Sequence, residues 1–478
     1  MKNSCIKRIL VIIVFLLLLS ALFIGTYKVL NWKDTTGDYF SSTKQMYELD
    51  DNTVDVAFFG PSVFYNGINP AILWKEEGIA SFNASVAGQD RNASYYFVKE
   101  FIKKQSPKVV VLSATYFFHD HYDLEGNLYR NTISLNQSQN YVDLVNDIVP
   151  PNEKSANNKL SDYYLRWPII HGRYKELKKY DFYDTNEYKD TLGFSYTPDC
   201  WTDGVFDEES LNTEYVLEIS EQNREWVDEM KKLADENGFE ILVVATPKVY
   251  DITSRGKLNG CFAYLDTVGI KHVDINIVLD ELKFVETEDM CDASHPNASG
   301  AEKISKYLCT YLKDNYSLAD RRDTAGYEFY NRSITKYNHN LLMYKYVNNM
   351  SAEELVTLGD KYTGLVYTIT YHKDEERDES AVYNYLLKCN VSEEALNAGG
   401  TWIIQNNTVL KAPQEKTYGV KVSKSDYLYV LPTANNESYF DTVYVGDTQY
   451  VDFKNNVCCI LIYDTLLERV ITVKDVRE

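Results

Sequence analysis

Short runs of consecutive apolar residues, each followed by a turn and then a helical pattern, constrain the fold more than any other feature of the sequence. Such runs are typical of parallel strands that are buried on both faces. Helical periodicity appears between them, for example over Trp226–Ala234 before Gly238. The alternation predicts an α/β fold, a three-layer sandwich around a sheet of about five parallel strands. The predicted strands are Val54–Phe59, Ala80–Phe82, Val109–Leu112, Ile241–Ala245 and His272–Ile275.

From about residue 330 the pattern changes to short alternating strands separated by Asn, Gly and Asp. We therefore expect an α/β domain over residues 32–325, with an insertion at about 120–210, and a separate β-rich domain over residues 330–478. The last helix of the α/β domain should begin at a capping box formed by Ser299 and Glu302. In the β-rich domain we predict one helix, Glu393–Ala398, and the strands Leu365–Thr370, Trp402–Ile404, Tyr427–Leu431, Thr442–Val445 and Val457–Ile462.

An uncharged apolar span, Ile9–Tyr27, lies near the N-terminus. It is long enough to cross a bilayer as a helix. Lys2, Lys7 and Arg8 precede it, which favours a cytoplasmic N-terminus with the rest of the chain outside the cell membrane. Residues 1–31 are thus expected to form a cytoplasmic tip and a single-pass membrane anchor. The alternative is a signal peptide that is removed, although the sequence shows no typical cleavage site.

Composition and spacing argue against two classes of ligand. The formal net charge of -21 argues against a nucleic-acid partner, because binding phosphates needs clustered Lys and Arg. The cysteines lack C-x-x-C spacing, so they imply no zinc site. His119 and His121 are interpreted as loop residues rather than metal ligands. We expect no metal and no other cofactor.

Two short motifs contain the residues that acyl-transfer chemistry needs. Gly60-Pro61-Ser62 places a hydroxyl directly after a strand, at the sheet edge where open α/β sheets bind ligands. A serine needs a base to become a nucleophile, and His295 is the candidate. Asp292 could accept the Nδ1 proton of His295 and fix the useful tautomer. The competing interpretation makes Ser62 a cap and residues 292–295 a capped loop.

These motifs resemble the first and last sequence blocks of the SGNH (GDSL-like) hydrolase family, with Pro61 where an aspartate is more usual. The resemblance extends over roughly residues 50–315. It implies a catalytic triad in which Ser62 is the nucleophile, His295 the base and Asp292 the acid.

The middle blocks of the family match less completely. Gly88, in the segment SVAGQD, stands where the second block supplies a backbone N–H to an oxyanion hole, together with the N–H of Ser62. The third block should contain an asparagine, but the sequence there is VVVLSATYFFHD. Ser113 and Thr115 are the candidate substitutes, unless the oxyanion hole has fewer donors.

The order of strand, G-x-S and then Asn69–Trp74 is similar to membrane-anchored, extracytoplasmic members of the family that act on acyl groups of cell-envelope polysaccharides. That likeness implies a serine esterase or O-acyltransferase, acting on an acylated cell-surface glycan beside a membrane-bound O-acyltransferase. Hydrolysis and transfer stay open, because the same acyl-enzyme serves both. The segment 360–475 resembles the interleukin-like (EMT-inducer) β-domain, which has carbohydrate-binding relatives. The alternative function is a non-catalytic glycan-binding or scaffolding protein on a decayed hydrolase fold.

The insertion contains two further candidate residues, His171 and Arg173, near several aromatic side chains. Arg173 could bind an anionic group of the substrate with its guanidinium, and His171 could assist. A structural contact within the insertion is the other interpretation of both.

Overall fold

The chain divides into two compact units, Met1–Phe182 with Asp190–Ser333, and Tyr183–Lys189 with Ile334–Glu478. His119 and His121, the two histidines interpreted above as loop residues, lie in the gap between 118 and 128 of the residues that the structure describes, which are given next. The computed structural model describes residues 2–31, 40–118, 128–152, 159–178, 181–183, 189–373, 380–435, 438–452 and 458–476.

A five-stranded parallel sheet forms the centre of the first unit, which confirms the predicted α/β class. Each predicted strand corresponds to one observed strand. Every residue of Val56–Phe59, the second strand in spatial order, is buried. In spatial order the strands are β2 (Ser81–Asn83), β1 (Val56–Phe59), β3 (Val109–Ser113), β4 (Glu240–Ala245) and β5 (Lys271–Asp274).

Helices join these strands and pack against them. Phe58 of β1 shares one buried apolar cluster with Leu73, Ile304 and Leu308, which lie on two of the helices. The helices of the first unit are α1 (Lys2–Leu30), α2 (Phe40–Glu48), α3 (Ser62–Gly67), α4 (Pro70–Glu77), α5 (Arg91–Phe101), α6 (Leu128–Ile133), α7 (Gln139–Asn152), α8 (Leu160–Leu165), α9 (Trp167–Ile170), α10 (Glu208–Leu211), α11 (Glu221–Asn237), α12 (Ile252–Val268), α13 (Glu286–Asp289), α14 (Ala298–Asn315) and α15 (Phe329–Leu341), within which the unit ends.

The N-terminal helix α1 contains a stretch, Ile6–Leu30, that is long and apolar enough to cross a membrane. The predicted span Ile9–Tyr27 lies inside this stretch. A signal sequence near the N-terminus can meet the same criteria of length and hydropathy, so the helix alone does not distinguish an anchor from a removed leader.

The helix α14 begins two residues earlier than a capping box at Ser299 would place it. Asn297 is its N-cap, and the Asn297 side chain accepts hydrogen bonds from the backbone N–H groups of Ser299 and Gly300. The prediction of Ser299 as the cap is therefore wrong. Asparagine is as good an N-cap as serine. Its side-chain NH2 group can also donate hydrogen bonds to other parts of the chain.

The second unit is β-rich, as predicted; its strands pair antiparallel, and it contains more helix than predicted. Besides α18 (Glu393–Ala398), it includes α16 (Ala352–Thr357) and α17 (Ser380–Lys388). One sheet has the order β14-β13-β6-β7-β8 and the other β12-β11-β10-β9. The strands are β6 (Leu365–Tyr371), β7 (Gly400–Gln405), β8 (Thr408–Lys411), β9 (Tyr418–Lys421), β10 (Tyr427–Asn435), β11 (Ser438–Val445), β12 (Thr448–Asp452), β13 (Cys458–Asp464) and β14 (Arg469–Asp475).

The cap assignment predicts unequal effects of two neighbouring substitutions. Asn297→Ala should lower the free energy of unfolding by about 1–2 kcal/mol, because it leaves the first N–H groups of α14 without their acceptor. Ser299→Ala, the matched control, should change it by less than about 0.5 kcal/mol. Chemical denaturation of both variants measures the difference. Equal losses would contradict Asn297 as the cap.

Candidate functional site

Ser62 is the first residue of α3, which follows β1 after only Gly60 and Pro61. Gly60 is required by packing, since a Cβ atom there would lie 2.6 Å from Cγ of Phe64. At the other end of α3, the buried Asn83 side chain donates hydrogen bonds to the carbonyl oxygens of Phe64 and Ile68, at 2.9 and 3.0 Å. These contacts hold the short helix, and with it Ser62, at the carboxyl end of β1.

His295 lies in a tight loop between α13 and α14. The backbone N–H of Cys291 donates to the carbonyl of His295 at 2.9 Å, and Met290 forms an isolated antiparallel bridge with Pro296. From the segment after β4, the N–H of Val249 donates to the carbonyl of Ala293 at 2.8 Å. The loop is thus closed on itself and attached to the neighbouring strand connection.

The fold brings Ser62, His295 and Asp292 together. Ser62 Oγ lies 2.7 Å from Nε2 of His295. On the other side of the ring, Nδ1 lies 2.8 Å from Oδ2 of Asp292. This places a hydroxyl, an imidazole and a carboxylate in one continuous chain of hydrogen bonds.

The Asp292 carboxylate also holds the loop itself. Its Oδ1 atom accepts the backbone N–H groups of Ser294 and His295, at 2.7 and 2.9 Å. Partial burial acts to raise the pKa of Asp292, but these backbone bonds and the His295 side chain outweigh it and hold the pKa below its ordinary value. Asp292 therefore stays ionised at neutral pH, where a carboxylate can accept the Nδ1 proton of His295.

Gly88 lies in a turn after β2 with φ of +60°, a left-handed conformation that suits glycine. The buried Asn131 of α6 holds this turn from two sides. Its Nδ2 donates to the carbonyl of Gly88 at 2.8 Å, and its Oδ1 accepts the N–H of Asp90 at 2.9 Å. The Gly88 carbonyl is thus occupied by Asn131.

The two candidate replacements for the missing asparagine, Ser113 and Thr115, hydrogen-bond to each other. Their hydroxyl oxygens are 2.8 Å apart, and Ser113 Oγ also accepts the N–H of Thr115 at 3.3 Å. Ser113 is buried at the end of β3 and Thr115 is half-buried. These contacts describe a local cap of the turn that follows β3.

The two candidates in the insertion lie in another set of contacts. Arg173 is buried, forms an ion pair with Asp181 at 2.8 Å, and donates to the carbonyls of Leu30 and Asn31 at 3.0 and 2.7 Å. Its guanidinium is therefore engaged by the fold, which favours the structural interpretation over a substrate clamp. The exposed His171 ring is within hydrogen-bond distance of the carbonyls of Trp167 and Pro168, at 3.2 and 2.8 Å.

Sequence reasoning missed three asparagines that position the site: Asn83, Asn131 and Asn297. Besides capping α14, Asn297 donates through Nδ2 to the carbonyl of Glu288 at 2.8 Å. Its place just before a helix was a signal that a cap search could have used. Asn83 and Asn131 carry no such signal, because their partners come from distant parts of the chain.

The comparisons with known proteins add little to this geometry. No protein-family model matches the chain, and no curated protein matches it. Among solved structures, it is similar to a crystal structure of a Bacteroides fragilis protein provisionally described as an acylhydrolase. The match covers 59% of this chain and 99% of that protein, with 13% sequence identity and a TM-score of 0.29. A likeness this distant does not bear on the activity of this chain.

The contact between Gly60 and Phe64 predicts a measurable coupling. Gly60→Ala should lower the free energy of unfolding by about 1–3 kcal/mol, because the added methyl group would overlap the Phe64 ring. The same substitution in a Phe64→Ala background should cost at least about 0.5 kcal/mol less, because alanine lacks the Cγ and Cδ2 atoms that the added methyl group would overlap. Denaturation of the four proteins of this cycle gives the coupling. Additive effects would show that Gly60 is constrained by something other than the ring.

Proposed function

We propose that the first unit is a serine-dependent esterase or O-acyltransferase of the SGNH-like type, with its helices in two layers around the sheet. The observation that supports it is the chain of contacts from Ser62 through His295 to Asp292. A capped loop alone needs only the backbone bonds to Asp292. It does not require Nε2 of His295 to face a hydroxyl from a residue far away in the sequence.

In the proposed reaction, Ser62 Oγ attacks the carbonyl carbon of an ester while His295 Nε2 takes the hydroxyl proton. Asp292 keeps the Nδ1 proton on the ring and stabilises the imidazolium that forms. His295 then returns its proton to the departing alcohol, which leaves an acyl group on Ser62. In the second half, His295 activates water or an acceptor hydroxyl, and the acyl group moves to that oxygen.

The negative charge on the carbonyl oxygen would be stabilised by the backbone N–H groups of Gly88 and Ser62. No asparagine from the third block is present to add a donor. Removal of one such donor typically costs about 3 kcal/mol of transition-state stabilisation. We therefore expect slow turnover rather than a different reaction.

The proposed substrates are acyl esters, acetyl esters first, of cell-envelope polysaccharides. With α1 as a single-pass anchor in the cell membrane, the site would work outside the cytoplasm, where such glycans are found. The second unit would bind carbohydrate, and a membrane-bound O-acyltransferase would supply or share the acyl group. These assignments follow from the resemblance of the motifs and from the apolar helix.

The catalytic assignment predicts that Ser62 is labelled by a fluorophosphonate probe in the full-length protein. Ser62→Ala should abolish labelling and lower the turnover of a small acetyl ester by about 10³-fold or more, because the nucleophile is lost. His295→Ala should have a similar effect. Asp292→Asn should lower kcat by about 10²-fold or more while KM changes little, since the ring loses its orienting acceptor.

The matched control is Ser294→Ala, which removes a hydroxyl from the same loop and keeps the three side chains. It should retain probe labelling and turnover. Full activity of Ser62→Ala would refute the mechanism. A wild-type protein that neither reacts with the probe nor turns over esters would favour the non-catalytic glycan-binding alternative.

A second experiment separates hydrolysis from transfer. The purified protein is given an acetyl-ester donor together with an oligosaccharide, and the products are weighed by mass spectrometry. An acetylated oligosaccharide indicates transfer, and free acetate without it indicates hydrolysis. Both products should disappear with Ser62→Ala.

A further inference from the structure

The helix α9 meets the membrane-type helix α1 inside its apolar stretch. The Trp167 ring lies 5.1 Å from the ring of Phe23, centroid to centroid. Phe23 precedes Tyr27, the last residue of the apolar span, by four positions. At 1.5 Å per residue, Trp167 is thus about 6 Å below the end of that span, measured along α1. The interfacial layer on each side of a bilayer is roughly 5–8 Å thick. Because the apolar span fills the hydrocarbon core and the interfacial layer lies outside it, Trp167 would lie against the outermost part of the acyl chains, directly below that layer.

The end of α1 is also fixed to the same part of the chain. The buried Arg173 donates to the carbonyls of Leu30 and Asn31 and is neutralised by Asp181. A cation at this position satisfies carbonyls that the end of a helix leaves without partners. If α1 were removed as a leader, Arg173 would lose these two acceptors. The contact favours an anchor that stays attached.

The segment around these contacts exposes large apolar side chains. Leu165 is 70% exposed, Tyr174 62% and Phe182 60%. They come from the end of α8, from the turn after α9 and from the residue after Asp181. Leu165 is two positions from Trp167, and Tyr174 is next to Arg173; Trp167 and Arg173 both contact α1. Phe182 is next to Asp181, the ion-pair partner of Arg173. Aromatic and aliphatic side chains of this kind are favoured at the boundary between headgroups and acyl chains.

We infer that this segment, which we define as residues 160–182 without the undescribed 179 and 180, rests on the outer surface of the phospholipid bilayer beside α1. Leu165, Tyr174 and Phe182 enter the headgroup region, and Trp167 lies against α1 directly below that region. The occupant of the surface is the bilayer, because the surface continues from a helix that crosses it. The inference rests on α1 as the anchor, one part of the proposed function.

Photo-crosslinking to lipid tests the inference in the full-length protein. Leu165, Tyr174 and Phe182 are replaced one at a time by benzoylphenylalanine, and the protein is reconstituted in vesicles of phosphatidylethanolamine and phosphatidylglycerol. After irradiation, mass spectrometry should find lipid adducts at all three positions. The matched controls are Val205 and Tyr215, which are 73% and 47% exposed and lie outside the segment. Their adduct yield should be at least about 10-fold lower.

A probe at Leu17 in α1 separates the possible failures. Adducts at Leu17 without adducts at 165, 174 and 182 would overturn the inference and leave the anchor in place. No adducts at Leu17 would overturn both the inference and the assignment of α1 as the anchor. Equal yields at the segment and at the two controls would also overturn it, because the contact would be non-specific. Introducing Ser62→Ala into each of these proteins should leave every adduct yield unchanged. The lipid contact can therefore be tested whether or not the esterase proposal holds.

Discussion

The parallel pairing of five strands is the constraint on which the candidate site depends. Because all five strands run in one direction, the segments that follow them begin at the same edge of the sheet. Ser62 comes directly after β1, and the loop with His295 comes after the last strand of the sheet. These residues are 233 positions apart in the chain, yet their side chains are in hydrogen-bond contact. Local structure around either residue could not create that contact alone.

Much of this arrangement is visible in the sequence because it depends on local patterns. A buried parallel strand needs consecutive apolar residues, and Val109–Leu112 shows them clearly. Gly238 ends α11 in a left-handed conformation, as a glycine after a helical stripe predicts. The motif from Asp292 to His295 is readable for the same reason, since the carboxylate, the imidazole and the backbone that they share lie within one turn.

The parts that sequence reasoning missed depend on contacts between distant segments. Asn131, which lies in α6, hydrogen-bonds to the turn at Gly88. The sequence near either residue gives no indication of this contact. Arginine is a residue type that often binds anionic ligands. The Arg173 guanidinium instead donates to carbonyls at the end of α1, so its role here is structural. The strands β8 and β12 are short and partly exposed, which leaves little apolar pattern to detect.

The bond between Arg173 and the end of α1 has a mechanical consequence. A domain joined to its membrane helix only through a linker can sweep a wide volume and meet glycans at many distances from the bilayer. Here the carbonyls at the end of α1 accept hydrogen bonds from the buried Arg173 guanidinium, so the proposed anchor would be joined rigidly to the domain. If α1 is the anchor that we propose, the Ser62 hydroxyl would stay at a constant height above the lipid, and only acceptors presented at that height would reach it.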